Sequence, residues 1–168
     1  RKETKKQYGI DEDTTVFISW DVNQYRKRQD ALLRCWKAFR PETKNTKLLL
    51  YTDWDCRLGW DLEQLIKQYD VPRHTILSPR DLTGEDKLWE NAESPEKLKH
   101  IAQLGDVYVS TTSGEGFGVC LLEAEALGLP VIVTECSSTP EVCSGQSLVP
   151  SYQGRQGLYR MHDSARSV

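Results

Sequence analysis

Residues 106–130 read DVYVSTTSGEGFGVCLLEAEALGLP. A β-favouring run, DVYVS at 106–110, passes through Thr111, Thr112 and Ser113 into three glycines in five positions, Gly114, Gly116 and Gly118. A helix-forming segment follows at 117–127, and PVIV at 130–133 is again a short apolar strand. Glycine permits the tight turn and lets a ligand approach bare backbone. The amides after it point out of a helix N-terminus, where the macrodipole favours an anion and a phosphate above all. The turn is neither GxGxxG nor a P-loop, so the two commonest nucleotide fingerprints are absent.

The same alternation runs outward in both directions. TVFISW at 15–20, KLLLYT at 47–52, residues 74–77 and residues 147–149 are further strand candidates. Between them, Leu32, Cys35, Trp36 and Phe39 recur at helical spacing within 29–40, and Leu62, Leu65, Ile66 and Tyr69 within 61–69. Ser94 and Pro95 open a helix over 95–104 as N-cap and first residue. A short helix is expected within 1–10. Apolar strands separated by helices predict a Rossmann-like, doubly wound parallel α/β sheet of about six strands, covered on both faces. The polar run at 78–93 is expected to be a long loop, and 151–168 an irregular tail behind a domain of residues 1–150.

Composition narrows the class. The chain's 168 residues suit one domain, and 22 Lys plus Arg against 25 Asp plus Glu leave a charge of −3, which argues against nucleic acid as partner. No run reaches the ~18–20 apolar residues of a membrane span. Five cysteines, Cys35, Cys56, Cys120, Cys136 and Cys143, are an odd set without a CxxC pair, so free thiols in the cytoplasm are expected. The three histidines form no metal or nucleophile pattern. Arg1 opens the chain and Met161 is its only methionine, which suggests a piece of a longer protein.

The carboxylates sharpen the reading. Glu123 has Val119, Cys120, Ala126 and Leu127 as its helical neighbours, so the nearly all-apolar helix is expected to be buried and Glu123 to need a hydrogen-bonding partner. Glu125 lies about 200° around the helix from it. Glu115 stands in the turn itself, and with a helix starting near Phe117, Glu123 lies roughly 9 Å further along the axis. A ligand with hydroxyls at both ends and phosphates between could meet both carboxylates and the amides. A nucleoside diphosphate sugar has that layout.

At these residues the sequence resembles a family. Glu115 and Glu123 form the E-x7-E pair of retaining glycosyltransferases with the GT-B fold, of the group 1, family-four type. EGFGVCLLEAEALGLPVIVTECSSTPEV resembles that family's signature, and VFISWDVNQYRKRQDALLRCWKAF resembles its first strand, basic loop and helix. The resemblance spans residues 8–150 and implies the C-terminal, sugar-nucleotide-binding half of a GT-B enzyme.

Carried over, it implies that Glu115 contacts hydroxyls of the donor sugar, beside the amides of Gly116, Phe117 and Gly118. Glu123 would accept from the ribose hydroxyls, Val119 would bring its amide to the diphosphate, and Lys27 would neutralise it. Leu77 and Ser78 match the place where the base meets backbone. The family's arginine, five or six residues before the lysine, is replaced by Val22 or Asp21; Arg26 or Arg28 is then the candidate to reach in.

The implied reaction is retaining sugar transfer from a UDP- or GDP-linked donor to a glycan, lipid or protein acceptor, held by an N-terminal domain absent from this sequence. It needs no metal or other cofactor. Asp53-Trp54-Asp55 looks like a DxD motif but is expected as an exposed turn or cap, and Trp54, Trp60 and Trp89 as exposed side chains. Glu141 is expected to be structural. The alternative is a catalytically inactive nucleotide-sugar-binding or interaction module, which the missing arginine favours.

Overall fold

The computed structural model describes residues 1–84, 94–143 and 148–150. The expected tail at 151–168, Trp89 and the later part of the 78–93 loop lie outside the described residues. Six parallel strands form one sheet: β1 (Thr15–Ser19), β2 (Thr46–Leu50), β3 (Ile76–Leu77), β4 (Val107–Ser110), β5 (Val131–Glu135) and β6 (Leu148–Pro150). Their order is β3-β2-β1-β4-β5-β6. The chain builds outward from β1 to β3, then crosses back to lay β4 on the other side of β1. The helices that follow β1 and β4 therefore pack on opposite faces, and the adjacent carboxyl ends of these two strands form the switch point of the sheet.

Each half of the sheet has its own cover, as right-handed crossovers require. On one face α2 (Gln29–Phe39) and α3 (Leu62–Gln68) set Leu33, Trp36, Leu62 and Ile66 against Leu48, Leu50 and Ile76. On the other, α5 (Pro95–Ala102) and α6 (Val119–Ala126) set Ile101, Leu121 and Ala124 against Val16, Ile18, Tyr108 and Val131. Gly105 has to be glycine: a Cβ there would lie 2.2 Å from Ile18 Cγ2. The expected N-terminal helix, α1 (Lys2–Gln7), is present, and its buried Lys5 donates to Asp106 Oδ2 at 2.6 Å and to the Thr14 carbonyl at 2.7 Å. That Asp106 oxygen also accepts from the Val16 amide at 2.8 Å, so one carboxylate ties α1 to β1 and β4.

Three expectations are corrected. The run at 78–93 opens with a helix, α4 (Pro79–Thr83), because Ser78 and Asp81 form a reciprocal capping box around Pro79; five residues are too few to show a helical period. The helix after the glycines starts at Val119, two residues later than expected, because Gly118 takes φ +87°. Nor is that helix buried all round: only Leu121 and Ala124 are, while Val119 and Leu122 are 55% and 37% exposed, because a single face of α6 meets the sheet. On the α2 side of β4–β6, Trp36, Phe39, Ile132 and Val149 line an open groove of about 1220 Å³. No helix among the described residues is long and apolar enough to cross a membrane.

Candidate functional site

The loop from β1 to α2 must descend from the sheet edge and turn back within ten residues. It does so through a single 3-10 turn, Tyr25–Lys27, and through Arg28, whose φ of 55° is left-handed. That turn places Lys27 inward. Its side chain is 5% exposed, and the ammonium donates to Asp21 Oδ1 at 2.7 Å and to Glu115 Oε1. Arg26, at the rim, donates from Nη1 to the Gly114 carbonyl at 2.7 Å and to Glu115 Oε2 at 3.3 Å. Hydrogen bonds onto main-chain carbonyls zip the two loops together: the Ser113 amide donates to the Arg26 carbonyl at 2.8 Å, and the Thr111 hydroxyl to the Arg28 carbonyl at 2.8 Å. The structure thus brings Arg26, Lys27 and Glu115 into one cluster at the switch point.

Asp21 sits beneath this cluster, 3% exposed. Beside Lys27 it accepts from the Ser110 hydroxyl and from the Tyr108 phenol, the latter at 3.2 Å. Burial alone would pull the Lys27 pKa down, but the charges and hydrogen bonds of Asp21 and Glu115 outweigh it and the net shift is upward, so Lys27 is a cation at neutral pH. Burial, then the Asp21 charge, push the Tyr108 phenol well above its ordinary value, which keeps it a neutral donor. Cys120 rises to about 12 for the same two reasons. The space enclosed by Asp21, Lys27, Glu115, Gly118 and Cys120 is about 10 Å³, room for about one water.

Glu123 stands apart from that cluster, half-buried, and its expected partner is Trp20: the indole Nε1 donates to Oε2 at 3.0 Å. Trp20 is itself held against Tyr108, with ring centroids 4.6 Å apart. Gly116, Phe117 and Val119 are exposed around the turn, and the first amides of α6 have no carbonyl partner within the helix. Leu77 and Ser78 lie at the end of β3, with β2 between them and β1. The Ser78 amide and hydroxyl are both committed to Asp81 Oδ2, each at 2.7 Å. Glu141 lies in the first turn of a short helix, α7 (Thr139–Val142). Arg28 is turned onto Asp30, at 2.8 and 3.0 Å.

Two expectations about the loop after β2 are corrected. Asp53 is buried, not exposed, and only Asp55 is out in solvent. Trp54 and Trp60 are half-buried against the α2-side core. The cause is Asn23, wholly buried, whose Nδ2 donates to the carbonyls of Asp53 and Trp60 at 2.9 and 2.7 Å, while its Oδ1 accepts from the Trp60 amide at 2.9 Å. Gly59 admits this contact, since a Cβ there would lie 2.3 Å from the Asn23 carbonyl oxygen. Sequence reasoning missed Asn23, Trp20 and the hub role of Asp21. For Asp21 a signal existed, an acidic residue directly behind an apolar strand. Asn23 and Trp20 left none, because their partners are 30 or more residues away. Among the described residues no group of three or more His, Cys, Asp or Glu side chains is arranged to hold a metal.

Solved structures place this fold in a class. The C-terminal domain of LpcC, a glycosyl transferase group 1 family protein from Francisella tularensis, matches with a TM-score of 0.66 at 20% identity, over 90% of this chain and 75% of that one. HepE of Anabaena, solved with UDP, matches with a TM-score of 0.64 at 15% identity, over 89% and 38%. The pneumococcal O-GlcNAc transferase GtfA, solved with UDP and GlcNAc, matches at 0.57 and 21%, over 83% and 25%. Likeness at these identities speaks for the fold, the Rossmann-like C-terminal half of GT-B glycosyltransferases.

Sequence settles the family. The model described as "Glycosyl transferases group 1" matches residues 1–149, and the chain belongs to that family. An uncharacterised glycosyltransferase of Methanocaldococcus jannaschii is 28% identical in a 162-residue alignment that covers 92% of this chain. The chain spans about a third of that relative's length, 36%.

Proposed function

We propose that this domain holds the donor, a UDP- or GDP-linked sugar, of a retaining glycosyltransferase of the family-four type. The observation that carries the reading is the meeting of Lys27 and Glu115, from two different loops, at the switch point beside the N-terminus of α6. A donor diphosphate there faces Lys27, Arg26 and the free amides at Val119, which oppose the charge that builds on the leaving group as the glycosidic bond breaks. Glu115 exchanges its cations for sugar hydroxyls. Glu123, with one oxygen on Trp20, turns the other to the ribose. Leu77 and Ser78 lie about 10 Å away across two strand spacings, a span that a nucleoside reaching toward its base covers.

In this reading the cations replace a metal, the five free cysteines suit the cytoplasm, and a second domain presents a glycan, lipid or protein acceptor. The rival reading, a nucleotide-sugar-binding or interaction module without transferase activity, draws on Asp21 and Val22, which stand at the two positions where the family resemblance puts an arginine.

Calorimetric titration of the domain with UDP, GDP, ADP and their sugar conjugates tests the donor reading. Saturable binding of one nucleotide, weakened by Glu123→Ala, is expected; no binding of any would refute it. Donor turnover by the longer chain separates the two readings, since an inactive module binds without turnover.

A further inference from the structure

Two cations and two carboxylates meet where the diphosphate would dock. Arg26 and Lys27 face Asp21 and Glu115, so these four side chains sum to zero charge. The loop's third basic residue, Arg28, is directed onto Asp30. Glu115 is clasped by both cations, and the space beneath them holds about one water, so an anion gains Lys27 only by displacing Glu115. Asp21 cannot be displaced in the same way, being 3% exposed and fixed by Ser110 and Tyr108.

We infer that Asp21 is a specificity-determining residue: by cancelling the Lys27 charge from below, it disfavours a free nucleoside diphosphate relative to the sugar nucleotide. The inference rests on the donor reading above. A free diphosphate carries about one negative charge more than its sugar conjugate, because its terminal phosphate loses a second proton near pH 6. It therefore suffers more from a neutral site. Only the sugar nucleotide also brings hydroxyls to Glu115 in place of the cations that Glu115 gives up. A neutral site with this exchange would release its product readily, and Asp21 is the part of it that no ligand can move.

The test is calorimetry at pH 8 with UDP, GDP and the matching sugar nucleotides on the unaltered chain, Asp21→Asn and Val22→Arg. Asparagine still accepts from Lys27 and Tyr108, and the Ser110 hydroxyl can rotate to accept instead of donating. Losing one charge at about 6 Å should tighten the sugar nucleotide about tenfold and the free diphosphate about thirtyfold, so that the preference for the sugar conjugate falls about threefold. Val22→Arg adds the same unit of charge without touching Asp21's hydrogen bonds and should shift the preference in the same direction. If a melting curve shows Asp21→Asn unfolded, Asp21→Ser, which removes the charge and keeps a hydroxyl oxygen as acceptor, takes its place. Binding by the variants alone also supports the inference. Equal tightening of both ligands, or none, in folded Asp21→Asn overturns it and leaves the donor reading standing. Binding of no nucleotide by any of the three overturns both.

Discussion

Replacing Asn23 by alanine should destabilise the domain by about 3 kcal/mol. The side chain is fully buried and makes three hydrogen bonds, to the carbonyls of Asp53 and Trp60 and from the Trp60 amide, at 2.7 to 2.9 Å. Each is a main-chain group in a loop with no ladder to fall back on, and about 1 kcal/mol is lost per buried bond. A water entering the vacated space offsets part of this, and the cavity itself adds to it. For a domain of this size about 3 kcal/mol corresponds to a fall in Tm of about 6–12 °C. Urea unfolding followed by tryptophan fluorescence is the natural assay, because Trp54 and Trp60 flank the contact. Asn23→Asp discriminates further. It keeps an acceptor for the Trp60 amide but turns an oxygen toward two carbonyls, so it should cost at least as much. If both variants unfold within 1 kcal/mol of the unaltered chain, Asn23 does not fasten the loop that carries Lys27, and the argument from its hydrogen bonds fails.

Two further outcomes concern groups with displaced titration. Cys120, pushed up to about 12 by burial and then by the Asp21 charge, is a neutral thiol at pH 8; its alkylation by iodoacetamide should be at least about a hundredfold slower in the folded chain than in urea, read by peptide mass spectrometry. In α4, burial raises the Asp81 carboxyl, but hydrogen bonds from the Ser78 hydroxyl and amide, then Arg73, outweigh it and hold it below the ordinary value. A depressed folded-state pKa means that the stabilisation is present above about pH 4 and is lost as pH falls below that. Asp81→Asn should therefore lower stability at pH 7, and the difference should close toward about pH 2. Ser78→Ala should cost about 1 kcal/mol at pH 7, and an unchanged urea midpoint would count against the capping box.

The sheet was legible because its strands are short, apolar and regularly spaced by helices, and the turn before α6 was legible because three glycines cluster there, of which Gly118 takes a left-handed φ of +87°. Glu115 and Glu123 stood out for their place around that turn, and Lys27 only through the family resemblance of the basic loop. Less visible was what depends on distant partners. That Glu123 needs a donor followed from its apolar neighbours, but Trp20 as the donor did not, since 103 residues separate them. Asp53 looked like turn chemistry because local sequence shows polarity and not the Asn23 side chain folded over its carbonyl. The exposure of Val119 and Leu122 escaped for the opposite reason: hydropathy along α6 counts apolar residues without showing how many faces of the helix meet the sheet. Asp21 read as the absence of an arginine, and its role became clear only with Ser110 and Tyr108 beside it.

The switch point also has a consequence for how the molecule assembles. β1, β2 and β3 with α2 and α3 are contiguous in sequence and can associate over short separations, whereas β4 reaches β1 only by closing a loop of about 90 residues, the separation between Val16 and Asp106. Contacts of such separation form late and slowly, because chain entropy is lost before they return anything. Lys27 arrives with the early unit and Glu115 with the late one. The ion pair at the switch point should then report completion of folding: a pulse-labelling experiment should find α2 protected before the segment around Glu115.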